Sequence, residues 1–120
     1  MPYRTALFFT AVLLCTSVTA QPTAFRAGTR TQGECTAWDQ GAKAEAVGAC
    51  TVDVAVRSPR STGPVHLAVF HAGRVFRLAV LPDGRCTIDG TPCTIEYDPP
   101  NDRISAVIDS GRGLEFPAPR

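Results

Sequence analysis

Five cysteines, two histidines and eleven carboxylates are the residues of this 120-residue chain whose types suit them to chemistry. The histidines, His66 and His71, stand five apart in one apolar-rich run. On a strand that odd separation turns them to opposite faces, about 16 Å apart. They therefore share neither a metal nor a reacting bond. His71 adjoins a turn and reads as a solvated rim residue, and His66 belongs to a mixed polar and apolar face. Cys35, Cys50, Cys86 and Cys93 contain no C-x-x-C pair. That argues against a zinc knuckle and against a thiol redox motif. Ser58, Ser61, Ser105 and Ser110 have no Gly-x-Ser-x-Gly setting. Gly111-Arg112-Gly113 is too short for a phosphate cradle and reads as a turn. Glu96, Asp98, Asn101 and Asp102 could gather oxygen ligands for calcium, but Asp, Asn and Pro in EYDPPND are also what an ordinary turn uses. Nothing fixes two acids across a cleft for glycoside cleavage. The expectation is a protein that is not an enzyme, with no catalytic residues, no cofactor and no metal.

Residues 1–20 carry an address. Arg4 supplies a short basic start, Ala6 to Leu14 an apolar run broken only by Thr10, and Val18-Thr19-Ala20 a small-residue end. This is the pattern of a secretory signal peptide cleaved after Ala20. A membrane anchor needs roughly 20 predominantly apolar residues, and the run is shorter, so no transmembrane segment is expected in the mature chain. Cys15 raises lipidation as in bacterial lipoproteins. Leu14 just before it, however, is not the small residue such signals use. Without residues 1–20 four cysteines remain, an even number that in a small exported chain argues for two disulfides. The expected compartment is oxidising: secreted or periplasmic.

Twelve Lys and Arg against eleven Asp and Glu exclude a general polyanion binder and equally an acidic disordered tail. Past Ala20 the bases are ten Arg and one Lys. Arg-rich surfaces suit forked contacts with carboxylates, but genomic base composition accounts for the bias as well as for the many Ala and Gly. No aromatic-plus-basic stripe is present and no nucleic-acid partner is expected.

The elements that must position these residues have period two. Residues 21–33 show no periodicity and read as a flexible leader, with a single β-domain over 34–120 whose order starts near Glu34. Val65 to Leu81 folds about Ala72-Gly73, placing His71 opposite Arg74, Val69 opposite Phe76, Leu67 opposite Leu78 and Val65 opposite Val80. One face is then wholly apolar, and the other carries His66, Ala68, Phe70, Val75, Arg77 and Ala79. A one-residue slip would destroy that sorting. Pro82-Asp83-Gly84 is a turn. Asp89-Gly90 joins Arg85–Ile88 to Thr91–Tyr97 and sets Cys86 opposite Cys93. Because that pair falls at a hydrogen-bonded site, a loop wider than two residues is an alternative. A hairpin centred on Ala42 and Lys43 faces Cys35 with Cys50 and brings Trp38 near Val47; Ala42–Val47 is the best helix candidate and is bordered by glycines. Along Thr51–Arg57, Val52, Val54 and Val56 point inward. Ser58–Pro64 is a loop, Asp98–Asp102 a break, and Arg103–Asp109 and Leu114–Phe116 are further strands.

The fold expected is all-β: a small antiparallel sandwich or barrel of about eight short strands, with disulfides Cys35–Cys50 and Cys86–Cys93. Size, leader and two cystines make the layout similar in kind to small exported bacterial β-domains, among them periplasmic inhibitors of lysozyme-like or proteolytic enzymes; no family motif carries the likeness further. By elimination the expected function is that of a protein-binding or inhibitor-like module with an envelope or secreted protein partner. A structural or accessory component of the envelope and a small hydrolase are the alternatives. The expected binding surface is the hairpin face of His66, Phe70, Val75 and Arg77, together with loops carrying Trp38 and Tyr97, since aromatic and Arg side chains anchor interfaces.

Overall fold

The computed structural model describes residues 18–19, 25–40, 44–56, 63–108 and 111–119. Its strands are β1 (Val18–Thr19), β2 (Arg30–Asp39), β3 (Ala44–Val54), β4 (Val65–His71), β5 (Arg74–Val80), β6 (Arg85–Ile88), β7 (Thr91–Asp98), β8 (Arg103–Ile108) and β9 (Arg112–Pro117). From β2 onward each strand pairs antiparallel with the next, and β9 returns to pair with β2. The result is an eight-stranded up-and-down barrel, which answers the sandwich-or-barrel alternative. Closure removes the sheet edges that a sandwich would have to protect. β1 lies outside the ring and pairs with Glu96 and Tyr97 of β7. No helix among the described residues is long and apolar enough to cross a membrane.

Alternation places one side chain in two inside. Val52, Val65, Val69, Leu78, Val80, Ile95, Ile104, Leu114 and Phe116 are essentially inaccessible. The β4–β5 register is the expected one, from Val65↔Val80 to His71↔Arg74. It turns through Ala72 and Gly73, both at positive φ (52° and 76°), the two-residue geometry whose twist matches that of the strands it joins. Asp89 and Gly90 repeat it (50° and 85°) and set Cys86 opposite Cys93. The two-residue loop suffices, and a disulfide joins the pair across 5.0 Å between Cα atoms.

Four expectations need correction, and one helix candidate is set aside. Cys35 and Cys50 are joined, at 5.7 Å between Cα atoms, but they are not register partners: Cys35 faces Gly48 and Cys50 faces Gly33. The hairpin is therefore shifted by two residues, which keeps both sulfurs inside because the side-chain period is two. Trp38 accordingly faces Glu45 and not Val47. Next, β3 is one strand through Ala44–Val54, so Ala44–Val47 is not helical; Gly41, Ala42 and Lys43 lie outside the described residues. Val56 is 85% exposed instead of inward, because the ladder ends at Val54. Order begins before Glu34: β2 starts at Arg30, and Phe25 is buried in the core. Gly28 N–H donates to the Val54 carbonyl and Val54 N–H to that of Thr29, which ties this entry segment to the end of β3. Finally, Trp38 and Tyr97 are strand residues, not loop residues. Of the leader and the Ser58–Pro64 loop, residues 1–17, 20–24 and 57–62 lie outside the described set.

Two outer carboxylates are set by neighbouring arginines. Arg30 forks onto Asp53 across β2–β3 at 2.7 and 2.8 Å and holds that carboxyl below its ordinary range, chiefly through the hydrogen bond, which outweighs an opposing desolvation, with charge adding less. Asp83, in the Pro82-Asp83-Gly84 turn, is lowered mainly by the Arg85 backbone N–H it accepts.

Candidate functional site: the open end of the barrel

An up-and-down barrel puts all its hairpin turns of one parity at the same end. Here the ends of β2, β4, β6 and β8 and the starts of β3, β5, β7 and β9 ring one mouth, and the opposite ends of these strands ring the other. The interior is filled by the core toward the second end. At the first end the side chains stop short and leave a cavity of about 390 Å³. Phe76, Ile88 and Leu114 are its buried lining. Charged residues occupy its rim: Arg74 and Asp89 at two turns, Glu45 near the start of β3, and Asp39 and Arg112, which face each other in the β2–β9 ladder. Eight strands enclose an interior just wide enough for side chains or one small ligand, so leaving one layer unfilled creates a cup.

Arg74 reaches the rim because it is the first residue of β5 on the inward parity, two before Phe76. Its guanidinium carbon lies 4.4 Å from the Phe76 ring centroid, a distance at which the ring face attracts a cation. Asp89 is held by β5: its backbone N–H donates to the Arg77 carbonyl (2.8 Å), and its Oδ1 accepts from Arg77 N–H (3.0 Å). The two-residue turn that presents Asp89 is thereby fastened to the neighbouring strand.

His71 is not a solvated rim residue. It is 4% exposed, because it shares the inward parity of Val65, Leu67 and Val69. Its Nδ1 and Nε2 lie 3.2 and 3.0 Å from the carbonyl oxygens of Ala49 and Ala46. A carbonyl only accepts, so a neutral imidazole satisfies one of these contacts and the imidazolium both. The ring thus fastens the part of β3 that extends past the tip of β4. His66 is exposed on the outer face, as the odd separation requires.

The expected surface is partly assembled. His66, Phe70, Val75 and Arg77 share the outer face of β4–β5, with Phe70 and Val75 register partners 42% and 37% exposed. Trp38 lies apart from them, on the outside of β2 over Gly113, where it contributes to the lining of the cup. Tyr97 is at the far end, half-buried, and its hydroxyl donates to Asp102 Oδ1 (2.8 Å). Asn101 Nδ2 donates to Asp98 Oδ2 at 2.7 Å. Three of the polar groups considered for calcium are thus engaged as an ordinary turn engages them, and the described residues contain no group of three or more His, Cys, Asp or Glu that could hold a metal.

Of the residues of the cup only Trp38 was singled out from sequence. The signal was available in the hairpin count, which puts Arg74 on the same face as Phe76 and Leu78. A charge at the inward position nearest a turn marks a mouth once the sheet is known to close. Comparison with protein-family models, curated proteins and solved structures finds no match to this chain.

Proposed function

We propose that this protein is a noncatalytic binding module of an exported compartment, with the open end of the barrel as its binding site. The observation that carries the reading is the cup itself: a cavity with a buried apolar lining under a charged rim, at the mouth of the barrel. Apolar pockets with a few convergent polar groups are the usual form of a small-molecule site, and barrel mouths are a usual place for them. The disulfides, typical of extracellular and periplasmic proteins, support export, and the leader supports it independently. The noncatalytic reading is supported by the state of the candidate groups: four cysteines are bonded in pairs, and His71 is buried with both ring nitrogens against carbonyls.

A neutral fluorescent apolar probe, N-phenyl-1-naphthylamine, tests the site. It should bind the oxidised protein one-to-one. Ala37→Phe, which places a ring in the cup, should abolish that binding without lowering the melting temperature. Undiminished binding to the Ala37→Phe protein would show that the mouth is not the site. Export is tested separately by N-terminal sequencing, expected to begin at Gln21; a chain beginning at Met1 would remove the compartment argument.

A second reading is favoured by one observation, the exposed apolar pair Phe70 and Val75 beside Arg77 on the outer face. It makes the module protein-binding or inhibitor-like, with an envelope or secreted protein seated on β4–β5.

A further inference from the structure

We infer that the cup takes a monocarboxylate, an amphiphile with one apolar tail or ring whose carboxylate is held by Arg74. This rests on reading the mouth as a binding site and adds the chemistry of the head group.

Arg74 differs from the other arginines that make ion pairs. Arg30 reaches Asp53 at 2.7 and 2.8 Å, Arg85 reaches Asp83 at 2.6 Å, and Arg103 reaches Glu115 at 3.3 Å, each donating a hydrogen bond. The nearest carboxylate contact of Arg74 is to Asp89 Oδ2 at 3.9 Å, too long for a hydrogen bond. Its side chain donates no hydrogen bond to any described residue. The guanidinium is held instead by the Phe76 ring beneath it. Asp89 is committed to the β5 backbone through Oδ1, so it steadies Arg74 by charge while leaving the guanidinium donors to a ligand. A planar fork with open donors matches a carboxylate, which it can grip with two parallel N–H···O bonds.

Three features narrow the class. Phe76 is both the support of Arg74 and a wall of the cavity, so a head group on Arg74 continues directly into apolar surroundings. Arg112 faces Asp39 in its own ladder, and the rim's carboxylates, Asp39, Glu45 and Asp89, outnumber its two guanidiniums, so the mouth accommodates no more than a single added negative charge. A cavity of about 390 Å³ lies near the lower end of the roughly 300–1,000 Å³ of small-molecule pockets. That size suits one tail or ring rather than a two-chain lipid.

The test is calorimetric titration of the oxidised protein, near neutral pH, with decanoate, 1-decanol and decyltrimethylammonium. Decanoate should bind one-to-one and about tenfold more tightly than decanol, as a charge-assisted hydrogen bond implies, and the cation should bind most weakly. Arg74→Gln should bring decanoate down to the affinity of decanol and leave decanol unchanged. Arg74→Lys, which keeps the charge and loses the fork, should fall between. Equal binding of decanoate and decanol, tightest binding of the cation, or unchanged decanoate affinity in a folded Arg74→Gln protein would overturn the carboxylate inference while the cup remained a binding site. Binding of none of the three would overturn both.

Discussion

The indole of Trp38 lies over Gly113, its partner in the β2–β9 ladder. A Cβ built on Gly113 would come within 2.8 Å of indole ring atoms. The glycine is therefore required by the approach of a side chain on the outer wall, beside the mouth, at the seam where the last strand rejoins the first. Gly113→Ala should displace the indole and cost on the order of 1–3 kcal/mol, the range for overpacking. Denaturant melts followed by Trp38 fluorescence would measure it. An unchanged midpoint and spectrum would show that the ring gives way freely.

Leu67 and Arg77 lie on opposite faces of the β4–β5 hairpin, one 3% exposed and the other on the outer wall. Leu67→Ala should cost about 2–5 kcal/mol, as for a cavity at a buried Leu. Arg77→Ala should stay within about 0.5 kcal/mol, because the bonds that residue makes to Asp89 use its backbone. The comparison belongs in urea with the disulfides kept oxidised. A larger loss from Arg77→Ala would contradict the inward–outward assignment.

The two disulfides close loops of different length, with sequence separations of 15 and 7. On loop-entropy grounds, replacing Cys35 and Cys50 by Ala should cost about 3 kcal/mol, and replacing Cys86 and Cys93 about 2.4 kcal/mol. Equilibrium melts of the two double variants would rank them. The reverse order would mean that packing of the cystines, not loop closure, dominates their contribution.

Asp53 links stability to pH. Its folded-state pKa lies below the ordinary value of 3.8 because Arg30 bonds the ionised form. The contribution is therefore complete above that value and is lost as pH falls through the lowered one. Between about pH 6 and about pH 2.5 the wild-type urea midpoint should fall further than that of Asp53→Asn, which has no proton to gain. Equal falls would show that the Arg30–Asp53 pair adds nothing to acid sensitivity.

Much of this architecture is written locally. The φ-positive turns at Ala72-Gly73 and Asp89-Gly90 select two-residue hairpins, and a two-residue hairpin leaves one register, so the β4–β5 and β6–β7 pairings and the Cys86–Cys93 contact follow from counting. Period-two alternation likewise sorts Val65, Leu67 and Val69 from His66, Ala68 and Phe70 before any tertiary contact is considered. The β2–β3 hairpin escaped by two residues because no such dipeptide marks its turn, and a slip of two preserves every face. Only the closed structure decides the rest. Whether the strands stack as two sheets or form one ring depends on β9 meeting β2, a pairing between residues more than seventy positions apart in sequence, which no local preference encodes. Closure is also what turns an inward parity into an interior. It buries His71 against the β3 carbonyls, and it makes Arg74, Phe76, Ile88 and Leu114, scattered over three strands and apolar or charged for unrelated local reasons, the wall of a single cup.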